Sequence, residues 1–112
     1  MSIRRHNKLH GKSELELGLL QMQVLWMLKK PSHGYELMKS LNTLKRTKIT
    51  QGTLYPTLQR LEELKLIESR TKGRKKVYHL TKKGKATMKN SCLEFCRTFH
   101  GIFEDYVCDK CR

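Results

Sequence analysis

Apolar residues recur at helical spacing through the first part of the chain. One run covers residues 15–28. A capping-box pair, Ser13 and Glu16, marks its start, because the two side chains can satisfy free N–H groups at a helix start. A break at 31–34 contains a proline and a glycine, and a second apolar repeat follows it. We therefore predict two helices, with Ser32 as the cap of the second.

The first predicted helix is apolar on two faces, which belong to two separate stripes. One stripe consists of Leu17, Leu20, Val24 and Met27, and the other consists of Leu15, Leu19, Met22 and Trp26. A helix with two apolar faces needs two surfaces to bury them. The protein's own core can cover one face, so we expect a second subunit to cover the other.

A third helix is predicted over residues 50–64, capped by Thr50, with leucines at helical spacing on its buried side. The opposite side is mostly polar and carries Gln51, Gly52, Tyr55, Pro56, Gln59 and Glu63. Pro56 is unusual there, because a proline inside a helix removes one backbone hydrogen bond and crowds the preceding turn. Either the helix tolerates it for a functional reason, or the helix starts late with Pro56 in its first turn.

The remaining elements are a hairpin and a long apolar repeat. Residues 66–70 and 76–80 alternate roughly and flank a basic tip that contains Gly73, which predicts a two-stranded hairpin. Thr81 then caps a last helix, in which apolar residues recur at alternating spacings of four and three residues. The repeat consists of Met88, Cys92, Phe95, Phe99, Ile102 and Tyr106.

This order of elements predicts a mainly α fold with a small β-hairpin, namely a winged helix-turn-helix followed by a C-terminal dimerisation helix. We divide the chain into a flexible basic arm (1–12), a winged-helix DNA-binding domain (13–80) and a dimerisation helix with a cysteine-rich tail (81–112). One core suffices for 112 residues.

Charge adds a partner to this picture. Lysine and arginine total 24 against 10 acidic residues, a net charge of +14. The segment from Lys65 through Lys89 contains ten basic residues, both ends included, and one acid, Glu68. A charge kept only for solubility would be spread more evenly, so the uneven placement favours a polyanion, and double-stranded DNA above all.

Several classes are disfavoured. No apolar run approaches the ~20 residues that a membrane span requires, and the basic start lacks the apolar core of a signal peptide, so we expect a cytoplasmic protein with no membrane partner. The sequence has no Ser/His/Asp order, phosphate-cradling glycine loop or paired-carboxylate motif, so we do not expect an enzyme.

The predicted DNA contacts divide by chemistry. Short polar side chains near the start of the third helix, Gln51, Thr53 and Gln59, suit base edges, whereas hydroxyl and cationic groups suit phosphates. Gly52 would let the backbone approach DNA closely. The full candidate set is Thr50, Gln51, Gly52, Thr53, Tyr55, Pro56, Gln59, Arg60, Lys72, Arg74 and Lys75.

Four segments resemble the PadR family of winged-helix regulators: LGLL at 17–20, HGYEL at 33–37, GTLYPTL at 52–58, and LIES at 66–69 with YHLT at 78–81. The Gly-Thr-Leu-Tyr-Pro run is the family's recognition-helix signature, which accounts for the proline. The resemblance covers about residues 14–90. It implies a repressor that occupies its operator as a two-fold dimer, with Tyr55 and the wing cations as DNA contacts.

The resemblance also implies a dimer interface made by the first and last helices. We expect the final helix of this chain to be short, as in the compact branch of the family. The candidate interface residues are Leu15, Leu19, Met22, Trp26, Phe95, Phe99, Ile102, Phe103 and Tyr106. Trp26 and Tyr106 are either core residues or the walls of an apolar dimer pocket for a planar effector. A small molecule or a metal could therefore tune the regulator.

All four cysteines follow residue 91. Cys92 and Cys96 share a helix face, and Cys108 and Cys111 form a CxxC pair that can grip one zinc ion at about 2.3 Å per sulfur. We predict a four-thiolate zinc site, with His100 as a substitute ligand. Two alternatives remain: Cys92 and Cys96 are small core residues beside a loose or disulfide-bonded tail, or the thiols are redox-active.

The spacing of the two cysteine pairs restricts a zinc site. On a straight helix Cys96 and Cys108 lie about 18 Å apart. Either the chain turns back after about Gly101, or the pairs meet across a dimer.

We therefore expect a sequence-specific DNA-binding transcriptional regulator, a repressor acting as a homodimer. The alternative is a winged-helix protein-interaction or basal transcription module with a structural zinc site, whose positive face meets an acidic partner. Salt separates the two, because phosphate contacts lose affinity steeply as salt rises.

Overall fold

The computed structural model describes residues 14–44 and 48–107. The elements are α1 (Glu14–Met27), β1 (Ser32–His33), α2 (Gly34–Leu44), α3 (Gln51–Glu63), β2 (Ile67–Lys72), β3 (Lys75–Leu80) and α4 (Lys82–Tyr106). This order confirms the predicted mainly helical fold with a hairpin between the third and fourth helices. Residues 1–12, predicted as an arm, lie outside the described residues. In the described part of the chain, no helix has the length and apolar character to cross a bilayer.

The sheet has three antiparallel strands in the order β1-β3-β2, one more than predicted. In β1, Ser32 pairs with Tyr78 and His33 pairs with Val77. Two residues are too few to produce a visible alternation, which is why the sequence pattern did not indicate this strand. The predicted Ser32 cap is wrong, because its hydroxyl donates to the His33 carbonyl (3.4 Å).

The core joins α1, α2, α3 and the sheet. In α1 the buried stripe is Leu20, Val24 and Leu25, and Leu28 follows directly after the helix. The sequence pattern placed neither Leu25 nor Leu28 on a buried stripe. The other fully enclosed side chains include Leu37, Leu41, Leu54, Leu58, Leu61 and Ile67. Because each buried leucine contributes about 1.5–3 kcal/mol, this core holds the leucine face of α3 inward and leaves its other face outward.

Pro56 lies inside α3, so the late-start alternative is wrong. The helix begins at Gln51, after an extended N-cap at Thr50 (φ −104°, ψ 168°). The Thr50 side chain makes no capping bond, but its carbonyl accepts from the N–H groups of Thr53 (3.1 Å) and Leu54 (2.9 Å). Pro56 cannot donate to the Gly52 carbonyl one turn earlier, and the helix tolerates this loss.

The end of α3 is fixed to the start of α4. Lys65 has φ +65°, and its N–H donates to the Glu62 carbonyl while that of Leu66 donates to Leu61 (2.9 and 3.0 Å), the pairing of a Schellman motif. The Thr81 hydroxyl donates to the Lys65 carbonyl (2.7 Å). The same oxygen accepts from the Gly84 N–H (2.9 Å), which confirms Thr81 as the cap of α4.

The last helix differs from two expectations. It runs without a break from Lys82 through Gly101 to Tyr106, a length of 25 residues, or about 37 Å. The expectation of a short final helix is therefore wrong, and so is the alternative in which the chain reverses after Gly101. Gly84 is the one buried residue of α4 in the described structure, so most of this helix extends beyond the winged-helix core.

Candidate nucleic-acid interface

The outward face of α3 is mostly polar. Gln51, Gly52, Gln59, Arg60 and Glu63 are exposed. Arg60 pairs with Glu63 (3.5 Å) near the helix end, and an exposed pair of this kind is weak. The amide side chains at the start and middle of the helix are thus free to reach an external partner.

Thr53 does not belong to this face. Its side chain is 3% exposed, and its carbonyl accepts from the Thr57 hydroxyl (2.9 Å) inside the core. The prediction that Thr53 reads base edges is therefore wrong. Its spacing of four from Thr57, and of eight from Leu61, places it on the leucine side, and this periodicity was the available signal.

Tyr55 lies across the start of α2. Its side chain is 39% exposed, and its ring passes over Gly34, where a Cβ would lie 2.9 Å from both Cε1 and Cζ of the ring. Only a glycine leaves room for this approach. The contact places the Tyr55 hydroxyl at the junction of α2 and α3, on a side chain that remains partly exposed. Sequence reasoning identified Tyr55 but missed Gly34.

The wing is a tight, fully exposed basic loop. Lys72 pairs with Lys75 across a two-residue turn, and Gly73 adopts φ +63° at its first position, as a type II′ hairpin turn requires. Arg74 follows at the tip and is exposed. In the described part of the chain, none of these cations takes part in an ion pair.

The strand register separates the wing cations onto two faces. Ser69 pairs with Tyr78 and Thr71 pairs with Lys76, so these four share one face of the ribbon. That face meets α3, because the Ser69 hydroxyl donates to Glu62 Oε2 (3.0 Å). Lys76 is therefore the basic residue on the α3 side of the ribbon, and sequence reasoning missed it although it stands two residues before Tyr78.

Lys72 and Lys75 alternate onto the opposite face, with Arg70 and Val77. That face lines a cavity of about 380 Å³ with the segment that follows α1 and with Lys85 of α4. Of the three predicted wing contacts, only Arg74 lies in the turn itself. Its side chain therefore belongs to neither face of the ribbon.

Tyr78 links the wing to α3. It is 4% exposed, and burial raises the pKa of its phenol above the ordinary value of 10.0, with smaller contributions from the Glu62 carboxylate and from Tyr55. Its ring also lies 5.7 Å from the Lys76 ammonium. The neutral tyrosine is thus part of the packing that sets the position of the ribbon relative to the recognition helix.

A second surface lies between α1 and α4. Leu19, Met22, Trp26 and Phe95 line one groove of about 440 Å³, and Phe95 packs against Phe99 with ring centroids 4.8 Å apart. Further along α4, Ile102, Phe103 and Tyr106 are 57%, 61% and 81% exposed. The structure thus brings together most of the predicted interface residues. Leu15 lies in α1, but its side chain is outside the described part.

Trp26 and Tyr106, predicted together as core or as pocket walls, are separate in the structure. Trp26 is 44% exposed and Tyr106 is 81% exposed, so neither is a core residue of the single chain. Trp26 lines the groove, whereas Tyr106 does not.

Only half of the predicted zinc site can be placed. Cys92 and Cys96 are free thiols on the same groove, while Cys108 and Cys111 lie outside the described residues. Within residues 14–44 and 48–107, no three potential metal ligands converge. His100, the substitute ligand, pairs with Glu104 (3.3 Å).

A helix-turn-helix with a polar outward helix, followed by a basic hairpin, defines a winged-helix DNA-binding protein. The chain matches the transcriptional regulator PadR-like family over residues 24–90, and it belongs to this family. The family consists of transcriptional regulators, which confirms the prediction of a DNA-binding regulator rather than an enzyme.

Individual relatives agree. The chain is 37% identical over 83 residues to the transcriptional regulator YqjI of Escherichia coli, a match of 71% of this chain and 38% of that protein, so it spans about two fifths of that relative's length. A PadR family regulator from Eggerthella lenta is 33% identical, with a TM-score of 0.66 over 80% of this chain and 82% of that one. A transcriptional regulator from Clostridium thermocellum is 28% identical, with a TM-score of 0.70 over 86% and 100%.

Proposed function

We propose that this chain is a sequence-specific repressor that binds its operator as a homodimer. The observation that carries the proposal is the outward polar face of α3, held by the leucine core beside a ribbon whose cations have no acidic partner among the described residues. A repressor of this kind acts by occupying DNA that the transcription machinery needs.

In this proposal α3 enters the major groove, which is about 12 Å wide and accepts one helix. Gln51 and Gln59 reach base edges, since an amide can both donate to and accept from one adenine. The Tyr55 hydroxyl donates to a phosphate from the α2–α3 junction. Arg74 at the tip and Lys76 on the α3 side of the ribbon contact the neighbouring backbone.

The homodimer is supported by the apolar surface shared by α1 and α4. Monomeric proteins rarely expose apolar patches of more than a few hundred Å², yet α4 exposes large apolar side chains over four turns. A second copy related by a two-fold axis would cover the same patch on both subunits. Two recognition helices would then face two half-sites.

The DNA contacts can be tested by salt titration on random-sequence duplexes. Each phosphate contact adds about 0.9 to the slope of log affinity against log salt. We therefore expect Arg74→Ala and Lys76→Ala each to weaken binding and to lower this slope by about 1. Lys89→Ala removes the same charge from an exposed position of α4 and should change neither quantity.

The same titration can contradict the proposal. If the wing variants bound DNA with the wild-type slope, the ribbon would not touch phosphate. If the wild-type protein bound an acidic protein partner and preferred no DNA sequence, the chain would be an interaction module instead.

Zinc remains part of the proposal. A site shared by Cys92 and Cys96 of one subunit and Cys108 and Cys111 of the other is compatible with the unbroken α4 helix. We expect elemental analysis of the purified protein to find close to one zinc per chain. Absence of zinc, together with an unchanged melting temperature after chelation, would contradict it.

A further inference from the structure

Two thiols occupy one face of α4 beside the only tryptophan of the chain. Cys92 is half-buried and Cys96 is exposed, and both line the α1–α4 groove with Trp26. Residues four apart on a helix are neighbours, with Cβ atoms about 5–6 Å apart. We propose that Cys92 and Cys96 form a dithiol site that binds a soft, thiophilic metal or metalloid ion through two thiolates.

The spacing fits one atom held between two sulfurs. If the two side chains turned toward each other, bonds of about 2.3 Å from each sulfur would span the remaining distance between the sulfurs. In the described part of the chain, no third histidine, cysteine or carboxylate joins the pair. The pair therefore matches ions that two thiolates satisfy, such as a soft metal in linear coordination or arsenic(III) that carries one organic group.

The walls of the groove favour a soft ion over a hard one. Among the side chains that the structure describes, its lining is mostly apolar, with the Met22 thioether and the Trp26 and Phe95 rings around the thiols, and it includes no carboxylate. Hard cations such as magnesium bind oxygen and keep their water, whereas thiolate and thioether ligands select soft ions. The two cysteines make up half of the proposed zinc site, but this chemistry does not require the other half.

Capture of a monosubstituted arsenic(III) oxide is a balanced exchange without oxidation. Two S–H bonds and the bonds from arsenic to its oxygen break, and two As–S bonds form. The oxygen leaves with both thiol protons as one water molecule. Arsenic keeps its oxidation state, and both sulfurs remain at the thiolate level.

The consequence for regulation rests on the proposed homodimer. The dithiol lies within the surface that a second copy would cover, so a group held between the sulfurs occupies part of the contact area. A ligand that binds separated subunits better than paired ones weakens pairing by the same factor. Occupation of the site by an ion held by these two thiolates alone therefore lowers dimerisation and, through it, operator affinity.

The test uses the full chain with Cys108→Ser and Cys111→Ser, reduced and freed of metal, with phenylarsine oxide as the probe. We expect mass spectrometry to find one adduct per chain, heavier by the probe less one water. Excess monothiol should not remove it, because chelation by two sulfurs outlasts a single bond. The fluorescence of Trp26 should change as the adduct forms.

The matched control adds Cys92→Ser to the same background, with circular dichroism to check the fold. This protein should lose its adduct in monothiol. An adduct that resists monothiol without Cys92, or no resistant adduct with both thiols present, would overturn the site.

Sedimentation separates this proposal from the homodimer. We expect the untreated protein to sediment as a dimer and the adduct to shift it toward monomer. A stable dimer that carries the adduct would overturn the regulatory link. A monomer before treatment would overturn the homodimer instead, while mass and fluorescence would still decide the dithiol.

Discussion

Gly84 stands where the first turn of α4 crosses the chain leaving α3. A Cβ at this position would overlap the carbonyl oxygen of Leu66, a backbone atom that cannot move aside. That carbonyl also accepts from the Thr81 N–H (3.0 Å). The glycine is therefore required for close approach rather than for an unusual φ angle.

We predict that Gly84→Ala lowers the free energy of unfolding by about 1–3 kcal/mol, the usual effect of overpacking. Gly101→Ala is the matched control, because nothing lies within 4 Å of a Cβ there, and alanine in an open helix position should add about 0.5–1 kcal/mol. Urea unfolding measures both. Equal effects of the two substitutions would show that Gly84 is not in close contact with the Leu66 carbonyl.

Tyr78 predicts a loss of stability at high pH. Burial raises the pKa of the folded phenol above 10.0, so the unfolded chain loses this proton first as the pH rises. The contribution of Tyr78 is therefore complete below pH 10 and declines as pH rises toward the folded pKa. We expect Tyr78→Phe to unfold with a shallower decrease in free energy above pH 10 than wild type. Identical slopes would contradict a buried, neutral Tyr78.

At the scale of elements, helix-turn-helix geometry depends on how closely α2 and α3 approach. Gly34 leaves space for the Tyr55 ring, and that space determines where the hydroxyl points. A larger residue would displace the ring without altering the leucine face of α3. The positions of the two helices and of the tyrosine are thus coupled through one residue that is itself too small to contact DNA.

We predict that Tyr55→Phe weakens DNA binding by the value of one hydrogen bond, about 0.5–1.5 kcal/mol. Gly34→Ala should weaken it at least as much, because it moves the ring. Filter binding or fluorescence anisotropy measures both affinities. Unchanged DNA affinity in both variants would show that the α2–α3 junction does not contact DNA.

Helices and the hairpin were predictable because their patterns are long. The spacing of the leucines indicates the helix α3, and the capping threonine marks the start of α4. The two hairpin strands flank a turn that contains a glycine. Features that arise from tertiary contact were not predictable. The two-residue β1 exists through its pairing with Tyr78 and Val77, and Leu25 is buried because α1 is enclosed on more than one stripe.

The candidate site was predictable in outline but not in orientation. Exposed polar residues of α3 were identified from the gaps between leucines. Thr53 was misplaced because its polar side chain suggested the outer face, whereas its spacing of four from Thr57 and of eight from Leu61 places it on the buried side. Lys76 was overlooked because the face of a ribbon residue depends on strand register, which only the pairing with Thr71 establishes.

For the whole molecule, the apolar length of α4 predicts self-association. We expect Phe99→Glu to shift the protein from dimer to monomer in sedimentation, because a charge in that surface would be buried without a partner. Asn90→Glu introduces the same charge at an exposed position off the apolar repeat and should leave the dimer intact. Dimers of equal stability in both variants would show that α4 does not form the dimer interface.

Selection of bound duplexes from a random DNA library tests whether α3 recognises a DNA sequence. We expect wild type to enrich a palindrome with half-sites about one helical turn apart. Gln51→Ala should relax the base preference at two symmetric positions and leave the spacing unchanged. Enrichment of no sequence by wild type, or of an identical motif by the variant, would contradict recognition by this face of α3.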